Sequence, residues 1–79
     1  MPFQPDTPSR VVFGENLRRA RVAKGLSQES LGEQAGVHRT FVGAVERAEN
    51  NVSIDTMEKL AAAVGLSIAA LLDPQGLPE

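Results

Sequence analysis

The residues best suited to chemistry in this chain lie between Ser27 and Arg47. Arg39 stands at the start of a short predicted helix. Its guanidinium can offer two parallel donors to a pair of acceptors, and the O6 and N7 atoms of guanine are such a pair. Thr40 follows with a hydroxyl that suits a base or a phosphate. Ala44, one turn on, has a methyl that suits the methyl of thymine. Val42 and Val45, at i, i+3 spacing, mark the buried side of the same helix and leave Arg39, Thr40, Gly43 and Ala44 facing outward. So small a face lets a helix lie close to a groove but reads few bases directly. Deformation of the DNA is therefore expected to carry part of the specificity.

A reading helix has to be held at an angle by a second one, and the residues before it supply that. Ser27 is an N-cap type, with Ser30 where a full capping box would want Glu or Gln. Leu31 and Ala35 fall on one face, and Gly36 suits the positive φ of a helix end. Val37 lies in the turn and His38 is placed to cap the next helix. Two short helices joined by one glycine turn form a protrusion that fits the DNA major groove. Gln28 begins the first of them, where free amide groups and the helix dipole favour a phosphate. His38 suits a helix cap or a phosphate contact. Arg47 suits a phosphate clamp or the dipole of its own helix. Asn50 and Asn51 suit phosphate donation or a C-terminal cap. All five count as candidate DNA-backbone contacts.

The rest of the chain reads as a frame for this pair. Residues 1–8 are expected as a flexible Pro-rich arm, residues 9–73 as the domain and residues 74–79 as a flexible tail. Ser9 is expected to cap a first helix that Gly25 ends. Ser53 caps a fourth ended by Gly65, and Ser67 caps a short fifth closed by Asp73-Pro74. The fold class is all-α, with five helices. The predicted core is Phe13, Leu17, Leu26, Leu31, Ala35, Val37, Val42, Val45, Ile54, Leu60, Val64, Leu66, Ile68, Leu71 and Leu72. Val52, Met57 and Ile68 suit either a symmetric dimer patch or the back of the fourth helix. A chain of 79 residues is marginal alone, which favours a homodimer.

The formal net charge is −2, yet its distribution is two-ended. Residues 1–48 carry seven Arg or Lys against five carboxylates, whereas residues 49–79 carry Lys59 against five. The predicted reading helix lies at the basic end. There is no cysteine, hence neither a disulfide nor a thiolate metal site. The single histidine has no evident catalytic or ligating companions. Gly25, Gly32, Gly36 and Gly43 follow no phosphate-loop pattern. No catalytic residue, metal, cofactor or small-molecule substrate is expected. Neither a leader segment nor a membrane span is read, and the expected location is cytoplasmic.

Gly25-Leu26-Ser27-Gln28, Leu31, Ala35, Gly36-Val37, Arg39 to Val42 and Val45-Glu46-Arg47 resemble the helix-turn-helix of the phage-repressor and Cro family, the xenobiotic response element family. The resemblance continues through Ser53-Ile54, Leu60-Ala61, Val64-Gly65-Leu66 and Leu71-Leu72, and spans roughly residues 10–73. Arg39 to Arg47 followed by Asn51 to Ile54 is most similar to the small controller proteins of restriction-modification systems. The resemblance implies a dimeric, sequence-specific transcriptional regulator on a pseudo-palindromic operator. It implies that Gln28 touches the DNA backbone. It also points to Arg21 as the partner of Glu46, in a partly buried bridge between the first helix and the reading helix. Related proteins often have tyrosine at Phe41; phenylalanine lacks the hydroxyl and suits packing. An antitoxin or other protein-interaction module of the same fold is the alternative, and the short spare segments count against it.

Overall fold

The computed structural model describes residues 2–77, and the outer ends of the expected arm and tail, Met1 and Pro78-Glu79, lie outside them. Five helices and no strand occur among the described residues: α1 (Ser9–Ala23), α2 (Gln28–Ala35), α3 (Arg39–Glu46), α4 (Ile54–Ala63) and α5 (Ile68–Leu71). α3 packs against both α1 and α2; α4 closes on α2, and α5 bridges α1 and α4. Phe13, Leu17, Leu31, Val42, Val45, Leu60 and Leu71 meet in one core.

The helix starts follow from local chemistry. Ser27, Ser53 and Ser67 each accept, through Oγ, the backbone N–H three residues on, at 3.0, 3.1 and 3.0 Å. The imidazole of His38 does the same for Thr40 N–H, accepting at Nδ1 at 3.0 Å. Each satisfies an N–H that the helix leaves without a partner. The expected cap at Ser9 is corrected: Pro8 is the N-cap, and Ser9 is already helical with no side-chain cap. The proline carbonyl accepts from Val11 and Val12 N–H, and its ring fixes the φ of −57°.

Three helices end with the same pair of reversed hydrogen bonds, and α2 shares one of the two. In α1 Gly25 and Leu26 N–H reach the Val22 and Arg21 carbonyls, in α4 Gly65 and Leu66 N–H reach Ala62 and Ala61, and Val37 N–H reaches Gly32 at the end of α2. At the end of α3 Ala48 and Glu49 N–H reach Val45 and Ala44. The residue taking positive φ is glycine at the first three and alanine, Ala48 at φ 59°, at the end of α3. An L-residue in this region costs about 1–2 kcal/mol.

The core expectation needs one correction. Ile54 is 68% exposed rather than buried, because the first residue of α4 sits at the helix start with its side chain off the packed face. Leu26, Val37, Leu66, Ile68 and Leu72 are half-buried. Asn16, not singled out by sequence, is fully buried and ties α1 to the end of α5, its Nδ2 donating to the carbonyls of Leu71 at 3.0 Å and Asp73 at 3.2 Å. The segment before α1 runs back onto the domain. Phe3 N–H donates to Pro74 O at 2.7 Å, and the Arg19 guanidinium lies 5.4 Å from the centre of the Phe3 ring.

Candidate nucleic-acid interface

α3 buries Val42, Val45 and Glu46 and turns Arg39 and Thr40 fully outward, with Ala44 half-buried beside them. Gly43 was expected to face outward, and it is buried. A Cβ there would lie 2.9 Å from Arg47 Nη1 and 3.3 Å from Gln28 Oε1. The missing side chain is thus the space in which Gln28, from the first turn of α2, and Arg47 lie against α3. Phe41 is half-buried and packs against the core.

Two further glycines let the helices approach. A Cβ on Gly14 of α1 would collide with the Val45 carbonyl oxygen, and one on Gly32 of α2 would collide with the Val37 carbonyl oxygen. Nothing in the local sequence around Gly14 or Gly32 signals this. The need arises only where another element's backbone passes.

Glu46 gathers three elements. Arg21 donates to it through both Nε, at 2.6 Å to Oε2, and Nη2, at 3.0 Å to Oε1. Gln28 Nε2 donates to Oε1 at 3.1 Å. Arg21 also donates through Nη1 to the Leu26 carbonyl at 2.8 Å, which fixes the loop entering α2. The side chains of Arg21 and Glu46 are 13% and 2% exposed. The structure therefore brings the two residues together, and Gln28 with them. With its Nε2 engaged on Glu46, the position of the Gln28 amide on α3 is set before any ligand arrives.

At the opposite end of α3, Arg39 Nη1 donates to Glu29 Oε2 at 2.6 Å, with 63% and 59% of the two side chains exposed. Glu29 was not singled out by sequence, because ten residues separate it from Arg39. They become neighbours when the turn sets the first turn of α2 beside the first turn of α3. Arg47 pairs with Glu49 through Nε at 3.0 Å and Nη2 at 3.2 Å. The Glu49 hydrogen bond and charge hold the Arg47 guanidinium above its ordinary value, and Arg47 in turn holds the Glu49 carboxyl below the usual carboxylate range. His38 is exposed and uses Nδ1 for its cap, so Nε2 is the ring atom left for a ligand. Asn50 and Asn51 are exposed and make no side-chain hydrogen bond among the described residues. The last carbonyls of α3 are met instead by Ala48 and Glu49 N–H.

Val52 and Met57 are half-buried against the core and line a shallow groove with Ser9, Arg10 and Leu72. Ile68 lines a separate depression with Glu58, Ala61 and Ala62. Ile54, at the start of α4, and Val22, on α1, are the exposed large apolar residues among the described ones. No helix among the described residues is long and apolar enough to cross a membrane.

This geometry has close counterparts. The chain is 47% identical over 66 residues to control protein C.SmaI of Serratia marcescens, covering 84% of this chain and 79% of that protein. The crystal structure of the hypothetical transcription factor NHTF from Neisseria superposes with a TM-score of 0.84 at 42% identity, over 94% of this chain and 85% of that one. The restriction-modification controller protein C.AhdI from Aeromonas hydrophila superposes with a TM-score of 0.75 at 47% identity, over 78% and 94%. A helix-turn-helix family model (HTH_3) matches residues 17–71, from the middle of α1 to the end of α5. By that match, and by the α2–α3 geometry it spans, the chain belongs to the helix-turn-helix family.

Proposed function

We propose that this chain is a sequence-specific transcriptional regulator that binds a pseudo-palindromic DNA operator as a homodimer and controls a restriction-modification system, its own expression included. The observation that carries this reading is the exposed first turn of α3, Arg39 and Thr40, held between α1 and α2 in a chain 47% identical to two proteins that are named controllers. α3 enters the major groove. Arg39 reads a guanine edge, Thr40 meets a base or phosphate, and the Ala44 methyl meets a thymine methyl. Gln28, His38, Arg47, Asn50 and Asn51 contact the phosphate backbone on either side and set the register. Protein and DNA meet in the cytoplasm, and neither catalysis nor a cofactor or metal is involved.

Each protomer covers one half-site. The longest dimension of the described chain is 32 Å. Two copies joined through Val52, Met57 and Ile68 present two reading helices to half-sites about 34 Å apart, one turn of DNA. A dimer formed from weakly associating protomers fills its operator more steeply than in proportion to concentration, so the level of the protein itself is the signal. The test is a footprint of the purified protein on the DNA upstream of its own gene, with a reporter titrated against it and sedimentation run in parallel. Protection of a two-fold site, a steep response without an added small molecule and a dimer in the centrifuge are expected. No protected site there would discard the controller reading. A monomer both free and on DNA would discard the dimer.

A further inference from the structure

We propose that Glu29 is a specificity-determining residue, which converts Arg39 from a general anion binder into a reader of a G·C pair. The proposal rests on the reading of Arg39 as a base-contacting residue. Arg39 is held through Nη1 alone, and its Nε and Nη2 have no partner among the described residues. The guanidinium is planar and its donors are fixed in a fork, so a bond on one side orients the other. The free edge is the one that can meet O6 and N7 of guanine. Glu29 in turn uses Oε2 for Arg39 and keeps Oε1 open. A G·C pair presents two acceptors on guanine and an amino donor on cytosine N4 along the same groove edge. A donor fork beside a carboxylate oxygen matches that pattern of acceptors next to a donor.

A phosphate offers oxygens only. Without Glu29, Arg39 would be an exposed cation held by no carboxylate, and any phosphate would satisfy it. With Glu29 at 2.6 Å, a phosphate approaching Arg39 must also approach a carboxylate that is more than half exposed. Non-specific attraction, which depends on phosphates, is therefore cut more than attraction to the correct base pair. Glu33, one turn further along α2 and also exposed, has no arginine partner among the described residues. It carries the same charge near the same groove and serves as the control.

The experiment measures the affinity of the intact chain for a duplex selected by the unaltered protein and for a random duplex, over a range of salt, with Glu29→Gln, Glu29→Asp, Glu33→Gln and Arg39→Ala. Thermal melts establish that each variant is folded. Glu29→Gln is expected to tighten random-duplex binding about tenfold for a dimer and to steepen its salt dependence by about one counterion per protomer. Operator affinity should change less than about threefold, so that discrimination falls. Glu29→Asp, which keeps the charge and shortens the reach, should lie between. Glu33→Gln should move both duplexes alike. Equal shifts on both duplexes for Glu29→Gln, or identical behaviour of Glu29→Gln and Glu33→Gln, overturn the proposal while an operator-selective loss for Arg39→Ala leaves the base-reading role standing. Equal losses on both duplexes for Arg39→Ala remove that role, and the proposal with it.

Discussion

α3 carries a carboxylate–guanidinium pair at each end, and the two pairs share their chemistry while differing in burial. At the C-terminal end Glu46 meets Arg21 and Gln28 with 2% of its side chain exposed. At the N-terminal end Arg39 meets Glu29 with more than half of each side chain in water. Removing one partner of a buried pair leaves a charge that neither water nor protein satisfies, whereas an exposed pair is replaced by hydration at little loss. The α1–α3 seam is therefore costly to break. The α2–α3 pair adds little to stability, and it leaves the Nε and Nη2 edge of the Arg39 guanidinium free.

The largest expected effect separates the two ends directly. Glu46→Ala should lower unfolding stability by about 3–5 kcal/mol in urea titration, because Arg21 and Gln28 then face an empty site. Arg21→Ala should act in the same direction and Arg19→Ala should cost less. Equal urea midpoints for Arg21→Ala and Arg19→Ala would remove the distinction. Gly14→Ala attacks the same seam by shape instead of charge. Its Cβ must displace the Val45 carbonyl, and a loss of about 1–3 kcal/mol is expected from the same titration. At the other end, Arg39→Ala should cost less than about 1 kcal/mol of stability. It should lower operator affinity by about 1–3 kcal/mol and relax preference at one base pair per half-site, whereas Gln28→Ala should weaken all duplexes alike, measured by titration against base-substituted duplexes.

Smaller effects sharpen the picture. Ala48→Gly relieves the left-handed backbone just beyond Glu46 and should raise stability by about 1 kcal/mol; an unchanged melting temperature would mean that the conformation carries no strain. The α1 surface pair gives the smallest change. The Arg18 hydrogen bond, aided by the charges of Arg18 and Arg19 and opposed by desolvation, holds the Glu15 carboxyl below its ordinary value of 4.5. A carboxyl lowered in the folded state contributes stability that is present above the unfolded value and lost as pH falls through the folded one. Glu15→Gln should therefore melt slightly lower than the parent at neutral pH and match it well below pH 4.5.

Much of this arrangement is legible in the sequence because it is local. A cap reaches its amide within three residues, so Ser27, His38, Ser53 and Ser67 can be read from spacing, and the glycines at 25, 36 and 65 mark helix ends for the same reason. Ser9 misleads because a preceding proline takes the capping place. Ile54 misleads because periodicity assigns a face to a helix without saying which of its turns the rest of the chain covers.

The sequence by itself determined five helices, their punctuation, the apolar faces that pack and the exposed arginine that begins α3. These are set by interactions within one or two turns, which amino-acid type and spacing specify directly. Only the tertiary structure decided which polar groups meet. Asn16 finds the end of α5 from 55 residues away, Gln28 joins from 18 residues away the Arg21–Glu46 pair that the family resemblance had already implied, and Arg39 finds Glu29 across the turn. It also decided that Gly14, Gly32 and Gly43 must lack a side chain, since the groups that fill those spaces belong to other elements. Such requirements depend on helix crossing and separation, which are settled by the packing of the whole core and leave no periodic trace in the chain.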